Sequence, residues 1–171
     1  MARAVSTGGE RPRALLILSG GGFTFETKCL LAGLERDMEF AYLVTQHGGT
    51  PGEGAIPAGR SWPVPSFASV TKRSVTRSLN AFWRTFLTTR QVLRTERIDA
   101  VVAIGCSHAA PMFLAARLAR IRTVFLESIT RTDRLSNTGK LVYHGRLADT
   151  FLVQWPRLQP GYPRSRVGTV L

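Results

Sequence analysis

The chain has 171 residues, 44% hydrophobic and 20% charged, which fits one packed domain and excludes a disordered chain or a membrane bundle. Twenty-three Lys and Arg stand against eleven Asp and Glu, a net charge of +12; such an excess favours an anionic partner, whether membrane surface, phosphorylated substrate or nucleic acid. Two cysteines and three histidines without ligand spacing exclude a disulfide framework and give no expectation of a bound metal.

In chain order, residues 1–13 hold Arg3, Arg11 and Arg13 but no apolar signal-peptide core, and read as a flexible basic tail of a cytoplasmic protein. A single domain is expected over 14–171. Residues 14–19 form a continuous apolar run between Pro12 and three glycines, the pattern of a strand buried on both faces of a parallel sheet. A helix is predicted over 24–36, with Cys29, Leu30, Leu31 and Leu34 on one side, and a strand over 39–45. Residues 46–65 hold five glycines and four prolines and read as a functional loop or a mobile flap. A helix follows over 69–97; its helical spacing places Leu79, Phe82, Trp83, Phe86 and Leu93 on one stripe and Arg73, Arg77 and Arg84 on another. Strands over 98–105 and 122–127 flank a helix over 107–120. A short helix over 137–147 and strands over 150–154 and 166–171 complete the pattern. Strands alternating with helices predict an α/β fold with a Rossmann-like parallel sheet. The longest apolar run, 109–116, is interrupted by Pro111 and far shorter than the ~18–20 residues of a membrane span.

Ligands of open α/β sheets bind outside the carboxyl ends of the strands, and three such ends carry unusual residues. The first is Ser19-Gly20-Gly21-Gly22-Phe23-Thr24. Glycines let the backbone approach a phosphate, and the helix start offers free N–H groups; the alternative is a plain tight turn. Phe25 stands at the third glycine of a dinucleotide fingerprint and Gln46-His47 follow the second strand, so neither that site nor a P-loop is indicated. The second end is Gly105-Cys106-Ser107-His108, where Ser107 is the expected helix cap and His108 projects as a candidate base. The third is Glu127-Ser128, with Arg131 and Arg134 close behind; Glu127 is either a base or half of a structural ion pair. No Asp-x-Asp pair, Gly-x-Ser-x-Gly elbow or His-Glu-x-x-His is present.

Together these stretches resemble the oligosaccharide-biosynthesis family that contains the membrane-anchoring, acceptor-side subunit of the dolichol-pathway UDP-N-acetylglucosamine transferase, and its bacterial PssD-type exopolysaccharide relatives. The resemblance is carried by 19–24 with Glu26, by Gly105 and Pro111, and by Phe125-Leu126-Glu127-Ser128. It continues through Ser136-Asn137-Thr138-Gly139-Lys140-Leu141 to Phe151-Leu152-Val153-Gln154-Trp155-Pro156, and spans 14–171. It implies the acceptor-side, N-terminal-type half of a GT-B glycosyltransferase. A (poly)prenyl-diphosphate-linked acceptor would be held by Gly20, Gly21, Gly22, Thr24, Gly105, Ser107, Arg131, Thr138 and Lys140. Glu127 or His108 would take the acceptor's proton. A small donor-binding subunit would hold the UDP-sugar, the co-substrate in place of any cofactor, and meet this chain at Gln154, Trp155 and Pro156. Attachment to the inner face of the cell membrane would be peripheral, through Arg73, Arg77, Trp83 and Arg84 on the 69–97 helix, or that helix instead faces the core with a solvated basic side. The family histidine of the first loop is replaced by Phe23. That makes a non-catalytic recruiting scaffold an alternative; a nucleic-acid module has only the charge behind it and no recognition motif, so nucleic acid is not expected as a partner.

Overall fold

The computed structural model describes residues 11–20, 23–47, 50–51, 57–67 and 74–170. Gly21, Gly22 and Arg73 therefore lie outside the described residues, as do 1–10 of the tail. Eight strands form one sheet: β1 (Arg13–Leu18), β2 (Glu39–His47), β3 (Thr50–Pro51), β4 (Ser61–Pro65), β5 (Ala100–Ile104), β6 (Arg122–Leu126), β7 (Thr150–Val153) and β8 (Arg166–Val167). Their order is β3-β2-β1-β5-β6-β7-β8, with β4 also pairing β2. Every pairing is parallel except the short β2–β3 ladder. Four helices, α1 (Phe23–Leu34), α2 (Val75–Thr95), α3 (Ala109–Leu118) and α4 (Asn137–His144), and a 3-10 turn at Pro156–Gly161 join them.

The apolar runs set this architecture. Leu15, Ile17, Leu43, Val101, Ala103, Phe125 and Phe151 alternate onto one face and form a single core with Val92 of α2, Met112 and Phe113 of α3, and Val142 and Tyr143 of α4. Phe125 is the hinge of that packing, meeting Phe113 edge-on at 6.3 Å and stacking on Phe151 at 5.0 Å. On the other face α1 packs against β1 and β5, and Val102, Val124 and Leu152 stay half-exposed. The tail's last residue, Arg13, opens β1, its backbone N–H donating to Asp99 and its guanidinium to Glu39.

Three expectations are corrected. The stretch 46–65 is not all loop: Ser61–Pro65 is an edge strand whose prolines leave the β2 ladder intact on the side that pairs. The cap of α3 is His108 rather than Ser107, and its side chain makes no capping bond. The last strand is two residues long.

Candidate functional site

Connections diverge between β1, whose helix leads to β2 on one side, and the adjacent β5, whose helix leads to β6 on the other. This is the crevice where open α/β sheets bind ligands. Gly20 sits there with φ +71° and Gly105 with φ +54°, both in the left-handed region that favours glycine. Gly105 has a second reason to be glycine: a Cβ there would stand 2.6 Å from the Phe23 ring and 3.1 Å from the Ser128 Cβ. Phe23 thus packs over the Gly105 turn. Thr24 is half-buried at the start of α1 and Ser107 is exposed.

Two carboxylates lie beneath this edge, Glu26 on α1 with 1% of its surface exposed and Glu127 after β6 with none. Such groups are costly to bury unless hydrogen-bonded, and both are. Glu127 Oε1 accepts from the Ser128 N–H at 3.0 Å; Oε2 accepts from the Ser136 N–H at 3.0 Å and the Ser136 hydroxyl at 3.1 Å. Ser136 in turn caps α4, accepting from the Gly139 N–H at 2.9 Å. A Cβ on Gly139 would overlap Glu127 Oε2. Burial pushes the Glu127 carboxyl above the usual carboxylate range, against the pull of these donors and of Arg131 nearby. As placed, Glu127 offers no oxygen to the cleft and acts on the protein's own backbone. Glu26 accepts from the Ser128 hydroxyl at 2.7 Å, the Ile129 N–H at 3.0 Å and Gln154 Nε2 at 2.7 Å.

His108 is also withdrawn from the cleft. It is buried, its Nε2 donates to the Pro65 carbonyl at 3.0 Å, and Phe67 meets its ring edge-on at 4.7 Å. Arg131 and Lys140 are exposed and Thr138 half-exposed, on the loop after β6 and the first turn of α4. Gln154, expected at an interface, is buried; it donates to Glu26 and to the Glu127 carbonyl at 3.0 Å. Trp155 and Pro156 are exposed, with Trp155 Nε1 donating to the Ile129 carbonyl at 2.7 Å and Arg157 over its ring.

On α2 the apolar stripe splits. Phe86 is buried with Ala81, Thr85, Thr89 and Val92, while Val75, Leu79 (57%), Trp83 (51%) and Leu87 (56%) project outward at i, i+4 spacing beside exposed Arg77 and Arg84. The helix therefore does not spend its apolar residues on the core alone.

Residues that hold this edge together, Glu26, Ser128, Ser136 and Gly139, were not singled out for a role in the sequence. The signal for Glu26 was there: the lone acid of α1, in its first turn, Phe-Thr-Phe-Glu-Thr-Lys-Cys-Leu-Leu. A cavity of about 450 Å³ opens at the opposite end of the sheet, bordered by Arg13, Glu39, Tyr42, Arg60 and Glu96. There Arg13 pairs with Glu39 and Glu96, and Arg60 with Glu96. Among the described residues no group of three or more His, Cys, Asp or Glu is placed to hold a metal ion.

The sequence pattern of the family described as "Oligosaccharide biosynthesis protein Alg14 like" matches residues 64–171. The human "UDP-N-acetylglucosamine transferase subunit ALG14" is 31% identical over 120 residues, covering 64% of this chain and 49% of the relative. The rat protein of the same name is 33% identical over 98 residues, 54% of this chain and 43% of its own length. The chain thus spans about half the length of these relatives. Among solved structures, MurG of Acinetobacter baumannii superposes with a TM-score of 0.69 at 20% identity, covering 92% of this chain and 45% of that one. LpCGTa in complex with UDP gives 0.56 at 15% identity, with 91% and 48% covered. These likenesses show the fold, a Rossmann-like domain equal to one half of a GT-B chain.

Proposed function

This chain belongs to the Alg14-like family of oligosaccharide-biosynthesis proteins, and from that premise we propose that it is the acceptor-side subunit of a two-component glycosyltransferase. It presents a (poly)prenyl-diphosphate-linked acceptor, and a separate small subunit holds the UDP-sugar. The acceptor's hydroxyl oxygen forms the new bond to the anomeric carbon, the bond from that carbon to UDP breaks, and the hydroxyl proton passes to a base. The observation that carries this reading is the match between a family whose relatives are named transferase subunits and a chain whose fold is one half of a two-half enzyme.

The chemistry exposed at the cleft is binding chemistry. The glycine turns offer backbone N–H groups, and Thr24, Ser107, Thr138, Arg131 and Lys140 offer hydroxyl donors and cations for a diphosphate. The burial of Glu127 and His108 favours a second, narrower reading in which the proton acceptor belongs to the partner and this chain holds and presents. Trp155 and Pro156 would meet that partner. Residues 14–171 would form the acceptor domain and 1–13 its basic tail.

Among the described residues no helix is long and apolar enough to cross a membrane. We read the outward row Val75, Leu79, Trp83 and Leu87, flanked by Arg77 and Arg84, as an interfacial contact with anionic lipid at the cytoplasmic face, with Arg73 as a further cation. The test is affinity capture of the tagged protein from its native membrane lysate with nuclease present. A small donor-binding subunit recovered in stoichiometric amount, and sugar transfer that needs both chains, is the expected result. Recovery of nothing that nuclease does not remove, or transfer by either chain alone, would overturn the reading.

A further inference from the structure

Glu26 is not needed by the chemistry proposed above, yet it is the more heavily used of the two buried carboxylates in joining separate parts of the chain. It stands one turn into α1, three residues after Phe23, whose ring rests on Gly105. Its Oε1 accepts from the Ser128 hydroxyl, and its Oε2 from the Ile129 N–H and Gln154 Nε2. From Ser128 the network runs on: the Thr130 N–H donates to its hydroxyl at 3.3 Å, and the two hydroxyl oxygens lie 3.0 Å apart. The Arg131 N–H then donates to the Ser128 carbonyl at 2.9 Å. From Gln154 it reaches the segment after β8, where the Val170 N–H donates to Gln154 Oε1 at 3.4 Å. One side chain therefore ties the element that ends the first glycine turn to the loop that carries Arg131 and to the ends of β7 and β8. A buried carboxylate with good donors fixes one geometry, since any displacement strands the donors as well as the acceptor.

We propose that Glu26 is a positioning residue that sets the separation of the two walls of the diphosphate cradle, the start of α1 with Gly20 beyond the end of β1, and the 128–136 loop bearing Arg131. This rests on the reading of that edge as a diphosphate site. Gln in its place keeps the volume but loses the charge: its amide N–H2 can be met only by the Ser128 hydroxyl turned to accept, and the charge-assisted bonds from the Ile129 N–H and Gln154 Nε2 become weaker neutral ones. Loop amides that are held in the wild type should then open, and an anion that bridges the two walls should lose affinity.

The experiment compares the full chain with E26Q and S128A, and uses V101A, a core substitution at the far end of β5, as a control for lost stability alone. Two quantities are read: hydrogen exchange of amides 129–134 in the free protein, and affinity for farnesyl diphosphate with inorganic diphosphate as competitor. E26Q and S128A should speed exchange at 129–134 and each weaken farnesyl diphosphate by about tenfold, the effect of ~1.4 kcal/mol. V101A, even with an equal loss of melting temperature, should leave both within twofold. Affinity unchanged in E26Q, or weakened as much by V101A, would show Glu26 to be structural only and overturn the proposal. A wild type that does not bind farnesyl diphosphate, with a loop that still loosens in E26Q, would sink the diphosphate reading and with it the role of Glu26 at that site. Should E26Q fail to fold, S128A, which removes one donor and leaves the carboxylate in place, decides the matter on the same two readouts.

Discussion

Gly139 lies in the first turn of α4, a place where alanine ordinarily improves a helix by ~1 kcal/mol. Here a Gly139→Ala methyl would occupy the position of Glu127 Oε2, so the carboxylate must move away from the Ser136 N–H and hydroxyl that it now receives. Two hydrogen bonds to a carboxylate at ~1.5–2 kcal/mol each, less ~1 kcal/mol of helix preference, leave a net loss of about 2–3 kcal/mol. For a chain of this size that is a fall in melting temperature on the order of 4–12 °C. The assay is a double-mutant cycle by thermal or urea unfolding with E127A and E127A/G139A. With the carboxylate gone, adding the methyl should cost nothing or help by up to ~1 kcal/mol, giving a coupling of about 3 kcal/mol between the two positions. A stabilised Gly139→Ala protein, or one whose loss is the same in both backgrounds, would refute the argument that the carboxylate excludes a side chain at 139.

Other expectations follow from single features. L79E and W83E should abolish binding to phosphatidylglycerol vesicles in flotation while leaving the melting temperature within a few degrees, because both side chains already face outward; binding retained would dismiss α2 as the lipid contact. Thr85→Val should stabilise by ~1 kcal/mol, since the Thr85 hydroxyl is buried with no partner among the described residues; a loss of stability would mean that the hydroxyl is satisfied. The Glu127 carboxyl is raised above its ordinary 4.5 chiefly by burial, so between 4.5 and that raised value the folded chain holds the extra proton. Its contribution is complete below pH 4.5 and lost as pH rises through the folded value. The stability of wild type relative to E127Q, whose neutral side chain does not titrate, should therefore fall as pH rises across that window; parallel curves would show that Glu127 is not the group titrating. Gly105→Ala should fail on both counts, clash with Phe23 and strain at φ +54°, and Phe23→Leu should recover only the part due to the clash.

The order of strands and helices was legible in the sequence because the signals are local: apolar runs of strand length, turn glycines, and helical spacing between them. The sequence placed the candidate residues at the carboxyl ends of β1, β5 and β6 but could not tell how their side chains turn. Glu127 and His108 were singled out as proton acceptors by residue type and place, and type says nothing about which way a side chain turns. Only the fold shows that Glu127 turns back onto Ser136 and that His108 is used by Pro65. Gln154 and Glu26 are 128 residues apart in sequence and 2.7 Å apart in space, a contact no local pattern encodes. The strand at 61–65 hid because prolines and glycines mark turns, whereas at a sheet edge a proline costs no ladder bond.

The apolar stripe read on α2 is divided by the fold between core and surface. The spacing of Leu79, Phe82, Trp83, Phe86 and Leu93 is a true amphipathic stripe, and in most globular helices such a stripe would face the core. Here only part of the stripe turns inward: Phe86 is buried with Ala81, Thr85, Thr89 and Val92, Leu93 packs against the core, and the short side chains among them let α2 lie close to α3 and β4. Trp83 lies outside, edge-on to Phe82 at 5.8 Å and to Phe86 at 5.7 Å. A large apolar row kept rigid on the surface by its own neighbours, with arginines beside it, is what an anionic bilayer can accept without refolding the protein. That gives a sharper expectation than lipid binding alone. F86A, which removes a buried ring that braces Trp83, should weaken vesicle binding although Phe86 itself is buried, and a blue-shifted Trp emission on vesicle addition should shrink with it. Vesicle binding of F86A equal to wild type, in protein still folded, would show that the row needs no such support.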